Sequence, residues 1–229
     1  MKTVGVLGGL GPQATMQFEA LVHGVAQRSI PQNANGGYPP MFVYYFRDVP
    51  FVANAAGAPE LPLRPSAVFL SAASELGRVA DFLVITSNFL HVFQAQIEAA
   101  AGCEVLSMVD LAIEQVAELG WQRVGVLGFG DPLVYTDRLS AAGVEIETIN
   151  GERRRSLDEA IVSVMEGRLD DQAALAAKSA LSELRERRVD GTILACTEIP
   201  LLLGHSAGAS DLIDPLPLLA EATVRRALG

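Results

Sequence analysis

Cysteine is scarce in this chain, with only Cys103 and Cys196 among 229 residues. Two thiols do not make a disulfide scaffold, and they fit a reducing compartment. Basic charge is short as well. Lys and Arg number 17 against 27 Asp and Glu, a formal net charge of −10. That balance argues against binding to nucleic acid or to anionic membranes, because no basic stripe offsets it. The one dense cationic cluster is Arg153-Arg154-Arg155, whose simplest reading is a solvated helix start. No apolar run reaches the ~18 residues that a transmembrane helix needs. The first residues carry one lysine and a short apolar stretch broken by glycines, without the features of a secretory leader. A cytoplasmic protein is therefore expected. No spacing of His, Cys and Asp suggests a metal site.

What the chain does have is a resemblance to itself. Val4-Gly5-Val6-Leu7-Gly8 recurs as Val124-Gly125-Val126-Leu127-Gly128. Arg78-Val79-Ala80-Asp81 leads through an apolar run to Thr86-Ser87-Asn88, and Arg188-Val189-Asp190-Gly191 leads likewise to Cys196-Thr197-Glu198. Ser87 and Cys196 thus occupy equivalent places. Half the residues are apolar, which is ample for two cores of about 110 residues each. The expected organisation is an N-terminal lobe over 1–120 and a C-terminal lobe over 121–216, with the helix at 217–229 free to pack back on the first.

Strand and helix patterns alternate in both halves, so the expected fold is α/β: two pseudo-symmetric lobes, each a mostly parallel sheet flanked by helices. The strand predictions include Met1–Gly8, Met41–Phe46, Phe82–Ile85, Val105–Val109, Val124–Gly128 and Thr192–Cys196. Residues 31–40 read as a loop. Residues 47–65, rich in Pro, Gly and Ala, read as a long loop over the strand ends, a candidate lid. In parallel sheets ligands bind beyond the carboxyl ends of the strands. Gly8–Pro12, Ser87–Asn88, Gly128–Pro132 and Cys196–Glu198 all fall there.

Gly9-Leu10-Gly11-Pro12-Gln13-Ala14 formally satisfies G-x-G-x-x-A after a strand. The acidic residue expected at the end of the second strand is missing, and no P-loop lysine follows. What survives is a glycine turn that brings backbone N–H groups and a helix N-terminus toward an anion, which a carboxylate would satisfy as well as a phosphate. Alternatively the turn simply joins strand to helix. Cys196 opens a predicted helix, where the dipole would favour its thiolate. A lone cysteine on an apolar strand is more often a core residue, and Cys103 fits that description. Ser87 alone reads as a helix N-cap; its equivalence to Cys196 raises it, and His91 lies on the same helical face, where it could orient the hydroxyl.

At these residues the sequence resembles the aspartate/glutamate racemase superfamily, specifically its aspartate racemase branch. The opening Met1–Thr15, the Ala195-Cys196-Thr197-Glu198 motif and the C-terminal Leu212-Ile213-Asp214-Pro215 all match its pattern, and the resemblance spans the whole chain. It implies two α/β lobes with the active site between them, usually in a homodimer. It also implies cofactor-independent proton exchange at the α-carbon of an acidic amino acid. Family racemases use one thiol from each lobe. The second matches Cys196, whereas the first is replaced by Ser87 within Ser87-Asn88-Phe89-Leu90-His91. Asn88 and His91 match the family motif, and Phe89 stands where it has threonine. A family arginine falls at Val52, leaving Arg47 as a replacement, and a family lysine falls at Arg155.

The resulting expectation is a racemase interconverting L- and D-aspartate or glutamate, without cofactor or metal. Cys196 and Ser87 would be catalytic, with Gly9, Thr15, Asn88, Thr197, Arg155 and Arg47 holding the substrate. Two other readings stay open: a single-thiol decarboxylase or isomerase of small carboxylic acids, and a non-catalytic amino-acid or nucleotide-binding protein.

Overall fold

A computed structural model of the chain describes residues 1–31, 36–55 and 57–229. The described chain divides into two compact units, Met1–Ser107 with Leu219–Gly229, and Met108–Leu218. Each contains one four-stranded sheet, all parallel and flanked by helices. The fold class read from the alternating pattern is the one observed.

In the first unit, β1 (Val4–Gly8), β2 (Met41–Tyr45), β3 (Phe82–Ile85) and β4 (Val105–Leu106) lie in the order β2-β1-β3-β4. Every residue of β1 and β3 is buried, as expected for central strands covered on both faces. Helix α1 (Pro12–Ser29) follows β1, α2 (Ala67–Gly77) precedes β3, and α3 (Gln94–Ala101) precedes β4. The core gathers Leu7, Phe46, Phe69, Leu83, Ile85, Leu90, Phe93 and Ile97.

The second unit repeats the plan. Strands β5 (Arg123–Leu127), β6 (Glu145–Glu147), β7 (Gly191–Leu194) and β8 (Leu212–Ile213) run in the order β6-β5-β7-β8. Around them lie α4 (Met108–Glu118), α5 (Leu133–Ala141), α6 (Gly151–Met165), α7 (Asp171–Glu186) and the short α8 (Ile199–Leu203). The final helix, α9 (Pro215–Leu228), begins in the second unit and finishes in the first. There the Lys2 N–H donates to Ala227 O at 2.7 Å, and Arg226 pairs with Glu104 at 2.6 Å.

The structure differs from the sequence reading in three informative places. The units divide at Ser107–Met108, whereas the pattern placed the boundary at Gly120. The run Val105–Val109, read as a strand, supplies only two strand residues before α4 begins. Met108, Val109, Ala112 and Val116 are the buried face of that helix, so one apolar run served two periods. Helix α4 then packs on α5, and Asp110 pairs with Arg138 there. Residues 47–65 are no formless lid. The Val52 N–H donates to Arg64 O and the Glu60 N–H to Val52 O, both at 2.9 Å. Antiparallel bridges join Phe51 to Pro65 and Ala53 to Pro59, making a narrow ribbon. The loop expected at 31–40 lies partly outside the described residues.

Candidate active site

Because all strands of a unit run the same way, the segments after β1, β2 and β3 emerge together at one end of the first sheet. They are stitched to one another there. The Phe46 N–H donates to Gly8 O at 2.9 Å and the Thr86 N–H to Leu7 O at 3.3 Å. The Gly9 N–H donates to Thr15 Oγ1 at 2.9 Å, and that hydroxyl lies 2.8 Å from Thr86 Oγ1. Arg47 Nη1 donates to Gly9 O at 2.8 Å, and its guanidinium sits 5.2 Å from the Tyr45 ring centroid. Gly9 has φ of +90°, and a Cβ on it would lie 2.6 Å from Tyr45 Cα. Only glycine fits that approach.

These contacts change the reading of three predicted substrate contacts. Thr15 is fully buried, and its hydroxyl braces the turn. Both backbone polar groups of Gly9 are engaged, by the Thr15 hydroxyl and by Arg47 Nη1. Ser87 is partly exposed and Asn88 buried, directly beyond β3. His91 sits over this segment as the helical spacing suggested. Its Nδ1, however, lies 2.9 Å from the Ser87 carbonyl oxygen, so it fixes the backbone.

In the second unit, β7 ends at Leu194 and the Ala195 N–H donates to Leu127 O at 2.6 Å. The next three residues turn inward: Cys196, Thr197 and Glu198 are all buried. The Cys196 thiol donates to Glu198 Oε2 at 3.1 Å, and the Thr197 hydroxyl donates to the same oxygen at 3.0 Å. Glu198 Oε1 is buried with no hydrogen-bond partner among the described residues. An unpaired carboxyl oxygen in a core is costly.

The thiol was expected to be acidified by a helix N-terminus. Helix α8 has only five residues, and the environment works the other way. Burial pushes the Cys196 thiol well above its usual range, and the Glu198 charge and side-chain hydrogen bond push it further. Backbone N–H groups of Glu198 and Phe129 oppose this and are outweighed. The Phe129 contact ties the thiol to the segment after β5. That segment is held in turn from α6, where Asp158 accepts from the Gly130 N–H at 3.0 Å and Arg154 pairs with Asp131 at 3.4 Å.

The three consecutive arginines have three fates. Arg153 pairs with Glu183 at 3.2 Å. Arg154 turns inward and donates from Nε and Nη2 to Ile149 O at 3.0 and 2.6 Å. Arg155 is exposed and makes no ion pair among the described residues. Cys103 is half-buried, and burial raises its thiol too, aided by Glu98, Asp81 and Glu104.

The second unit thus brings together a thiol, a carboxyl and a hydroxyl that share hydrogen bonds in a buried setting, groups of the kind that can transfer protons. Glu198 is the residue the sequence reading passed over. A carboxylate two positions beyond the cysteine was visible, but it served to mark the end of the strand and to complete the family motif, with no chemical role. Among the described residues no helix is long and apolar enough to cross a membrane.

Residues 7–223 match the family model for Asp/Glu/hydantoin racemases. The chain is similar to the broad-specificity amino-acid racemase RacX of Bacillus subtilis (strain 168), 24% identical over 225 residues that cover 96% of each protein. Among solved structures it shares its fold with an aspartate racemase homologue from Pyrococcus horikoshii OT3, at TM-score 0.77, 20% identity and full coverage of both chains. The aspartate racemase of Picrophilus torridus follows at TM-score 0.73 and 19% identity, covering 99% of this chain and 94% of that one. With the family model spanning nearly its whole length, this chain belongs to the Asp/Glu/hydantoin racemase family and is an isomerase of the amino-acid racemase kind.

Proposed function

We propose that the protein interconverts the enantiomers of α-amino acids, aspartate and glutamate among them, by cofactor-free removal and return of the α-proton. Cys196 is the base toward the L-enantiomer and Ser87 the donor that completes inversion. The observation that carries this reading is the buried Cys196–Glu198 pair at 3.1 Å. A thiol whose proton already points at a carboxylate can lose it without crossing water, and the thiolate so formed can take a proton from Cα. Ser87 is too weakly acidic to act as the resting base, but a carbanion is basic enough to accept its proton. Asn88 and Arg155 are assigned to the substrate carboxylates, Arg155 because it is exposed and makes no ion pair among the described residues. The broad specificity of the Bacillus relative supports a substrate range beyond one amino acid. A homodimer in the cytoplasm belongs to the same reading, and sedimentation would test the assembly.

The test is exchange of the α-hydrogen in heavy water, followed by NMR across a panel of L- and D-amino acids. Cys196→Ala should abolish exchange while circular dichroism stays that of the parent. An alanine variant that keeps more than about a tenth of the parental rate, less than the 10²–10⁴-fold expected of a lost acid–base group, removes Cys196 from this role.

A further inference from the structure

The side-chain end of the substrate can be read from the first unit, on the basis of the racemase reading above. Phe89 directly follows Asn88, and 46% of its surface is exposed. Its ring meets Phe51 edge to face, with centroids 6.3 Å apart and planes at 87°. Phe51 is carried by the ribbon that follows β2, the same segment whose Arg47 pins the Gly9 turn. Behind Phe89 the buried Phe93 ring stands 6.2 Å away, so the outer ring is held in place from two sides. The ribbon adds Val49, 41% exposed, and Leu61, 87% exposed. Other large apolar side chains of the chain are exposed too, but this aromatic pair stands on segments at the strand ends, where ligands of parallel sheets bind.

Charge tells the same story. The segments beyond β1, β2 and β3 contain two cations, Arg47 and Arg64, and two anions, Asp48 and Glu60. Arg47 donates from Nη1 to Gly9 O and lies over the Tyr45 ring. Arg64 pairs with Glu60 at 3.3 Å. Both cations of these segments thus already have partners, and the segments contain no third one for a second carboxylate. An anion against these apolar rings would lose water without gaining a charged partner from them. An apolar side chain would gain contact and lose nothing.

We infer that the Phe51–Phe89 face is the side-chain subsite, and that amino acids with bulky, uncharged, apolar side chains are preferred over aspartate. Phe89 and Phe51 set specificity and do no chemistry.

The experiment measures kcat/KM for α-hydrogen exchange in heavy water with L-phenylalanine, L-leucine and L-aspartate. In the parent protein both apolar substrates should exceed aspartate by tenfold or more. Phe89→Thr should bring that ratio below threefold, and Phe89→Leu, which keeps an apolar surface, should retain most of it. Aspartate exchanging faster than both apolar substrates overturns this inference and leaves the racemase reading standing. So does a ratio unmoved by Phe89→Thr. No exchange with any amino acid in folded protein overturns both.

Discussion

Asp214 gives a perturbation whose size can be worked from the structure. It stands between β8 and α9, partly buried, with Oδ1 accepting the Leu216 N–H at 3.0 Å. A carboxylate at a helix N-terminus is ordinarily stabilised by the dipole and by such an N–H. Here burial outweighs them, and the carboxyl is pushed up from 3.8 to about 6. The folded protein holds this proton more tightly than the unfolded chain does. The resulting stability is fully present below about pH 4 and is lost as pH rises through about 6. Each tenfold difference in proton affinity between the folded and unfolded chain is worth ~1.4 kcal/mol, so the loss totals about 3 kcal/mol. Asp214→Asn removes the titration and keeps an oxygen able to accept the Leu216 N–H.

The expected result is a difference between two pH profiles. Urea unfolding of the variant and the parent should agree to within ~0.5 kcal/mol near pH 3.5, since a neutral acid and an amide are close in size and capping ability. The variant should gain steadily from pH 4 to 6 and level off about 3 kcal/mol above the parent near pH 7. Taking the difference cancels every other titrating group. Titration of the Asp214 carboxyl carbon by NMR supplies the midpoint independently. Profiles that run parallel from pH 3.5 to 7, or a carboxyl that titrates near the ordinary aspartate value, would refute the reasoning.

Two further predictions concern the strand ends. Glu198→Gln removes the charge that helps hold the Cys196 thiol up, so in a Cys103→Ser background alkylation of Cys196 by iodoacetamide should begin at lower pH than in the parent. Exchange at Cα should fall about tenfold or more, because the proton acceptor is gone; an unmoved or upward alkylation profile would show that the carboxyl does not act on the thiol. Gly9→Ala places a methyl group 2.6 Å from Tyr45 Cα at a φ of +90° and should cost ~2 kcal/mol or more in urea unfolding, whereas a loss under ~0.5 kcal/mol would mean that the turn relaxes freely.

The sheets were legible because buried parallel strands leave short apolar runs bounded by glycine, and the repeat doubled the signal. The place of Cys196 was legible for the same reason: four apolar or small residues end in polar ones at a strand terminus. Its electrostatics were not. Sequence offers a helix start after Cys196 but cannot say that α8 stops after five residues, nor that Glu198 folds back on the thiol. The arginine cluster was ambiguous for a geometric reason. Successive helical residues point ~100° apart, so three arginines must diverge, and which one is free depends on α6 starting at Gly151. Thr15 was legible as part of the turn but its intraprotein partners were not, because a hydroxyl serves a ligand or its own loop equally well. The ribbon at 50–66 was hidden by its prolines and glycines, whose density reads as loop even where backbone groups pair.

The raised thiol at Cys196 bears on how the proposed base could work at all. A group kept protonated at rest supplies little free base, which at first sight disqualifies it. Yet base strength and resting ionisation are opposite faces of one quantity: the same burial that discourages the thiolate makes it a stronger acceptor once formed. An α-hydrogen is a very weak acid, so a thiolate stabilised by water or a helix dipole would be present but feeble. The buried pair resolves this by holding the proton within a 3.1 Å hydrogen bond. Transfer to Glu198 then creates the thiolate only inside the dry site, where its strength is retained. In the proposed cycle the acceptor is Glu198 Oε2, which already receives the hydrogen bonds of the thiol and of the Thr197 hydroxyl.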